Sequence, residues 1–106
     1  PSAAKRIFFL ADHLDAAEAL RIGLVNRVVP KAELDDAVAE WTDRIAHNAP
    51  LTIAAAKAAV RQWSLPDDER DFAEVEKMVR ACFESADYRE GVDAFLAKRP
   101  PEFTGR

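Results

Sequence analysis

This sequence contains few cysteines and few glycines: one cysteine and three glycines. The single cysteine, Cys82, excludes an internal disulfide and any metal site built from several thiolates of this chain. It lies beside Val79 and Phe83 in a helical pattern, where we interpret it as a buried and unreactive thiol. The three glycines are widely spaced, so the chain contains no glycine-rich turn.

Long apolar runs and an excess of positive charge are also lacking. No run approaches the roughly 20 residues that cross a bilayer, and the four-residue run at positions 7–10 is too short for the core of a signal peptide. We therefore expect a cytoplasmic protein that does not bind membranes. The net charge of -4 argues against a nucleic-acid partner, which usually requires a concentrated basic surface.

The residues that are present predict a mainly α protein. Hydrophobic residues make up 49% and charged residues 32% of the chain, a balance typical of globular domains. Asp15 and Glu18 have the spacing of a capping box, and Gly23 stands where a left-handed residue would end that helix. Apolar residues recur on one face of segments 32–46, 72–83 and 87–97, which predicts buried stripes, whereas the alanine-rich segment 50–63 is apolar on more than one face. Helical patterns cover Ser2 to Leu10 or Ala11, about 15–22, 32–46, 50–63, 72–83 and 87–97.

A strand-like run, "LVNRVV" at Leu24–Val29, stands apart from these helices. It is rich in β-branched residues and is stopped by Pro30, which cannot donate a hydrogen bond to a neighbouring strand. A single strand needs a partner, so the partner must come from another polypeptide or from a longer form of this chain. The sequence thus predicts about five helices plus one short strand.

Three blocks in order resemble the C-terminal region of the enoyl-CoA hydratase/isomerase (crotonase) family. They are "DAAEALRIGLVNRVVP" at Asp15–Pro30, "RIAHNAPLTIAAAKAAV" at Arg44–Val60 and "SADYREGVDAFLAKRPPEFTGR" at Ser85–Arg106, and together they extend the resemblance over essentially the whole chain. One departure is Leu10-Ala11, where many relatives have a Thr-Gly turn.

The resemblance implies a fold and a domain organisation. It implies the C-terminal helical part of the α/β crotonase (ClpP/crotonase-like) fold. Residues 1–30 would be a helix–helix–strand remnant of the spiral core and its connection, and residues 31–106 a helical trimerisation region. We therefore expect a missing N-terminal spiral portion, which would hold the partners of the strand, and a homo-oligomer, either a trimer or a hexamer.

The resemblance also implies a chemistry. Family members bind an acyl-CoA thioester and stabilise an enolate with two backbone N–H groups while carboxylates move protons. The expected reaction is hydration of a 2-enoyl-CoA or a shift of its double bond, without a metal or a prosthetic group. The glycine-rich turn and the acid/base glutamates would lie upstream, so no catalytic residue is assigned here and the chain alone is predicted to be inactive. The matched coenzyme-binding residues are Phe95 and Lys98, at the adenine end of CoA.

Other interpretations of these residues stay open. Lys98 at a helix C-terminus complements the helix dipole whatever the function, and Phe95 can serve in a core or a subunit contact. The chain as a whole could be a stand-alone helical oligomerisation or adaptor module without catalysis, because an alanine-rich helix and two tryptophans suit an interface. A helix-turn-helix nucleic-acid binder is disfavoured, because no helix is basic.

Overall fold

The computed structural model describes residues 2–106 and shows a mainly α chain, as the sequence predicts. Within the described residues there are six α-helices, one for each segment of helical pattern, so the predicted total of about five is one too few. They are α1 (Ser2–Leu10), α2 (Ala16–Arg21), α3 (Leu34–Ala46), α4 (Pro50–Trp63), α5 (Ala73–Glu84) and α6 (Ala86–Ala97), with 3₁₀ turns at Lys31–Glu33 and Asp67–Glu69.

Internal contacts divide the chain into two compact units, one ending at Ala39 and the other covering Glu40–Arg106. The assignment of residues 1–30 to a spiral remnant and of 31–106 to a trimerisation region remains a prediction, because contacts within one chain do not report on either role. Among the described residues, no helix is long and apolar enough to span a bilayer.

In the first unit, Glu18 connects α1 to α2. The side chain of Asp15 accepts a hydrogen bond from the Glu18 backbone N–H at 2.7 Å, which confirms the predicted cap of α2. The Glu18 carboxylate accepts from Arg21 at 2.6 Å and from Arg6 of α1 at 2.9 Å. The hydrogen bond from Arg21, aided by the one from Arg6, lowers the pKa of Glu18 from 4.5 to about 2.

Gly23 ends α2 in the left-handed conformation that its position predicts, with φ of 74°. Its N–H donates to the carbonyl of Leu20 at 3.1 Å, and the N–H of Leu24 donates to that of Ala19 at 2.9 Å. These two bonds form a Schellman motif, which satisfies the last carbonyls of the helix.

The predicted strand at Leu24–Val29 is wrong for this structure, because no strand occurs among residues 2–106. The backbone N–H groups of Leu24 and Val25 both point back to the Ala19 carbonyl, so they close the helix end and do not pair with an extended neighbour. β-Branched composition alone does not hold a strand when no partner strand satisfies its backbone.

In the second unit, α4 packs against α5, and α5 packs against α6. Its buried apolar residues are small, namely Ala55 of α4 and Ala94 of α6. The predicted burial of the larger apolar side chains is wrong, since Phe83 and Leu96 are exposed. In a row of three helices, each helix has at most two neighbours. The apolar faces that point away from these neighbours therefore stay exposed.

Candidate functional site

An apolar groove of about 650 Å³ lies along α4, α5 and α6. Its charged lining residue, Asp87, is turned towards backbone N–H groups, so the groove offers apolar contact and no free acid or base. The lining residues are Ala49, Leu51, Thr52, Ala55, Ala56, Ala59, Val79, Cys82, Phe83, Ser85, Asp87, Tyr88, Gly91, Val92, Phe95, Leu96 and Phe103.

Ser85 builds the N-terminal end of α6. It is buried, its hydroxyl donates to the Cys82 carbonyl at 2.6 Å, and the same oxygen accepts from the Tyr88 backbone N–H at 3.0 Å. The hydroxyl therefore joins the end of α5 to the start of α6 and caps α6. The sequence pattern places the start of this helix near Asp87 and misses the cap, although a serine followed by helix-forming residues signals one.

Asp87 ties the C-terminus of the chain to the first turn of α6. It is only 3% exposed, and its carboxylate accepts hydrogen bonds from the backbone N–H groups of Thr104 at 2.7 Å and Gly105 at 2.8 Å. Its own N–H donates to the Arg106 carbonyl at 3.1 Å. A buried carboxylate is stable here because backbone donors replace its water.

Glu90, one turn further along α6, holds the preceding part of the same segment. Its carboxylate accepts two hydrogen bonds from the Arg99 guanidinium, at 2.5 and 2.8 Å, and one from the Glu102 backbone N–H at 2.8 Å. The bonds from Arg99, followed by the bond from Glu102, lower the pKa of Glu90 from 4.5 to about 2. We call residues 99–106 the C-terminal strap.

The two predicted coenzyme-binding residues lie together at the C-terminal end of α6. Phe95 is 82% exposed and lines the groove, while Lys98 is exposed three residues later and does not line it. Lys98 adopts the left-handed conformation, with φ of 53° and ψ of 41°. The structure thus brings an uncovered aromatic ring and a cation into one turn, which suits a ligand that has both a planar ring and a phosphate.

Sequence reasoning missed the roles of Asp87 and Glu90. A signal was present, since two carboxylates three residues apart share a helix face, and the proline-rich segment that follows forms no helix. The structure describes residues 2–106, and among them no group of three or more histidine, cysteine or acidic side chains is arranged to hold a metal ion.

Comparison with known proteins extends over the whole chain. The family model described as enoyl-CoA hydratase/isomerase matches residues 1–106. Among curated proteins, the methylmalonyl-CoA decarboxylase of Escherichia coli K12 is 38% identical over 105 residues, covering 95% of this chain and 40% of that protein. The crotonyl-CoA hydratase of Syntrophomonas wolfei is 36% identical over 106 residues, covering 100% of this chain and 41% of that protein.

The solved structures agree with this result. An enoyl-CoA hydratase/carnithine racemase from Magnetospirillum magneticum superposes with a TM-score of 0.88 at 36% identity, covering 100% of this chain and 39% of that one. The predicted fold class, the helical part of a crotonase fold, is therefore confirmed. The chain spans about two fifths of the length of these relatives. Because the family match and the structural match both run along the whole chain, the chain belongs to the enoyl-CoA hydratase/isomerase family.

Proposed function

We propose that this chain serves an enzyme that hydrates a 2-enoyl-CoA or shifts its double bond. The reaction would pass through an enolate whose oxygen is held by backbone N–H groups, with carboxylates moving the protons. The chain spans about 40% of its relatives, so the reaction is assigned to the protein at its full natural length. The helices of this chain would serve assembly into a trimer or hexamer and closure of the coenzyme pocket.

The names of the two curated relatives support the substrate class more strongly than the reaction. One is called a decarboxylase and the other a hydratase, yet both names specify a CoA thioester. A CoA thioester shared by two different reactions is consistent with an enolate mechanism, because the same stabilised oxyanion can form in several different reactions. The proposal therefore invokes the CoA thioester as substrate and no prosthetic group or metal.

The observation that carries the proposal for this chain is an exposed pair, with Phe95 in the last turn of α6 and Lys98 in the left-handed turn that follows it. An aromatic face that is 82% exposed can stack on adenine, and a lysine ammonium three residues away can meet a phosphate of CoA. Their exposure favours binding over core packing for both side chains.

A second candidate function is a helical oligomerisation or adaptor module that acts without catalysis. The apolar groove and the side chain of Trp63, which is 71% exposed, favour it. Exposed apolar surface of this kind marks an interface, whether with another protein or with the rest of an enzyme.

Two measurements on one sample separate these candidates. The intact masses of all polypeptides are determined in the protein purified from its native source, and the same sample is assayed with crotonyl-CoA. A polypeptide heavier than 11.8 kDa, together with turnover, supports the enzymatic function. A sample that contains only an 11.8 kDa chain and has no activity supports the adaptor module.

The coenzyme assignment is tested in the full-length protein with Phe95→Ala and Lys98→Ala. We expect each to raise the KM for crotonyl-CoA about 5- to 20-fold with little change in kcat, because the adenine end contributes equally to substrate and transition-state binding. Lys77→Ala is the matched control, since Lys77 is an exposed lysine of α5 that pairs with Glu74. A wild-type KM in both variants would reject the assignment.

A further inference from the structure

We propose that Asp87 and Glu90 are positioning residues, which hold the C-terminal strap along α6 and thereby fix the turn that presents Phe95 and Lys98 to coenzyme A. This inference rests on the proposed function, because that proposal assigns CoA to Phe95 and Lys98. It adds the residues that give the site its shape.

The turn at Lys98 needs outside support. Its backbone forms a Schellman motif, in which the Lys98 N–H donates to the Phe95 carbonyl at 3.2 Å and the Arg99 N–H donates to the Ala94 carbonyl at 3.0 Å. Gly23 adopts the same motif at the end of α2 without steric cost, because it has no Cβ. Lysine at this position is strained, and strained conformations persist where the surrounding structure determines them.

The strap supplies that support from the first residue after the turn. Arg99 follows Lys98 directly, and its two bonds to Glu90 anchor the chain at this point to a residue two turns back in α6. The Glu102 N–H adds a third bond to the same carboxylate.

Asp87 anchors the far end of the strap. It accepts from the backbone N–H groups of Thr104 and Gly105. Between the two carboxylates, the ring of Phe103 lies against Gly91, where a built Cβ would lie 3.5 Å from a ring carbon. The strap is thus attached at both ends and in the middle to the helix that carries Phe95.

A turn held in this way favours binding through preorganisation. Phe95 and Lys98 are exposed, so neighbouring side chains do little to restrict them, and the backbone turn is the part of the site that the protein can order in advance. Ordering that turn before CoA arrives reduces the entropy lost on binding. Releasing the strap should therefore weaken binding of CoA, although both carboxylates are bonded to the strap and are not assigned to CoA.

The test measures the dissociation constant for CoA in the full-length protein. We expect Glu90→Gln and Asp87→Asn to weaken binding about 3- to 10-fold; Glu90→Gln should speed hydrogen exchange at the Glu102 amide, and Asp87→Asn at the Thr104 and Gly105 amides. Glu76→Gln is the matched control, because Glu76 forms an exposed ion pair with Arg80 on α5, and we expect it to change binding less than about twofold.

A double-variant cycle distinguishes positioning from general stability. If Glu90 acts through the turn, its substitution should cost little additional affinity in a protein that already carries Phe95→Ala and Lys98→Ala. Arg99→Lys is the second variant, because it retains the charge and the fold but loses the paired hydrogen bonds; it should weaken binding as Glu90→Gln does.

The possible outcomes separate the coenzyme assignment of Phe95 and Lys98 from the positioning role of Asp87 and Glu90. Undiminished CoA binding in Phe95→Ala and Lys98→Ala overturns the coenzyme assignment of these two residues and the positioning role together, whereas the enzymatic function is overturned only by a lack of turnover. Weaker binding in those variants, with wild-type binding in Glu90→Gln, Asp87→Asn and Arg99→Lys, overturns the positioning role alone. An equal loss from Glu90→Gln in both backgrounds also overturns it, because the carboxylate would then act on overall stability.

Discussion

At the residue scale, three helix ends reach the same left-handed conformation with three different residues. Gly23 has φ of 74°, Ala11 has φ of 51° and Lys98 has φ of 53°. Any residue with a Cβ loses about 1–2 kcal/mol in this conformation, whereas glycine does not. The backbone cost at Lys98 is consistent with the proposed role of its ammonium group in coenzyme binding.

Lys98→Gly should separate stability from binding. We expect the free energy of unfolding to rise by about 0.5–1 kcal/mol, because glycine removes the strain while its greater freedom in the unfolded chain cancels part of the gain. The dissociation constant for CoA should rise about 5- to 10-fold, because the ammonium is gone. Denaturant unfolding and equilibrium binding on the same preparation measure both quantities.

Ala11→Gly provides the control for this prediction. Ala11 closes α1, with its N–H donating to the Ile7 carbonyl at 3.1 Å. It should gain similar stability with no change in CoA affinity. A loss of stability in both variants would contradict the strain argument.

At the element scale, α6 combines two tasks on one helix. The side chains of Asp87 and Glu90, three residues apart, hold the strap, while Phe95 and Lys98 extend from the other end of the helix. Substitutions at Asp87 and Glu90 should therefore weaken anchoring and, through it, binding, whereas substitutions at Phe95 and Lys98 should weaken binding alone. Two further predictions concern the anchoring.

Glu90 should make stability depend on pH. Its pKa is about 2 in the folded protein and 4.5 without its partners, so the unfolded chain takes up the proton first as pH falls. The stabilisation is complete above about pH 4.5 and is lost as pH falls towards 2. Urea midpoints of the wild-type protein and Glu90→Gln should differ at pH 7 and converge near pH 2. Parallel curves over this range would show that the ion pair contributes nothing.

Gly91→Ala should stabilise α6. Gly91 lies inside the helix without a positive φ, and a Cβ there would make ordinary contact with the Phe103 ring at 3.5 Å. Alanine favours the helix by about 1 kcal/mol over glycine, so the free energy of unfolding should rise by up to that amount. Gly23→Ala is the opposite case. A Cβ there meets nothing within 4 Å, yet φ of 74° makes the change cost about 1 kcal/mol. Thermal or urea unfolding measures the free energy of unfolding of both variants, which should rise in Gly91→Ala and fall in Gly23→Ala.

At the scale of the whole molecule, large apolar side chains lie on the surface while the buried apolar residues are alanines. Val60 and Trp63, at the end of α4, are 67% and 71% exposed, and within residues 2–106 the buried apolar residues are Ala19, Ala55 and Ala94. Apolar surface of this extent is typical of a subunit or domain contact. It is consistent with the proposed trimer or hexamer.

Substitution of the end of α4 should disrupt assembly. We expect the full-length protein to elute as a trimer or hexamer and the double variant Val60→Asp/Trp63→Asp to shift towards monomer, because burying two carboxylates in an apolar contact is costly. Lys57→Ala on the same helix is the control, since Lys57 is already an exposed polar residue. Light scattering coupled to size-exclusion chromatography measures the masses. An unchanged oligomer in the double variant would place the interface elsewhere.

Most of the fold could be predicted from local patterns. The start and end of α4 at Pro50 and Trp63, the Asp15 cap and the left-handed Gly23 were all predicted correctly, because each depends on residues within a few positions of one another. The failures were non-local. The strand at Leu24–Val29 and the buried stripes required neighbours whose presence no local pattern reports.

The sequence by itself determined where the helices run, which ends are capped and, through its resemblance to a family, which coenzyme to expect at Phe95 and Lys98. Only the tertiary structure decided that Asp87 and Glu90 hold the strap and that Lys98 occupies a left-handed turn. Helix propensity and capping act over a few residues and can be read along the chain. The strap joins residues up to 19 positions apart, Asp87 and Arg106, and contacts of that separation form only when the chain folds back on itself.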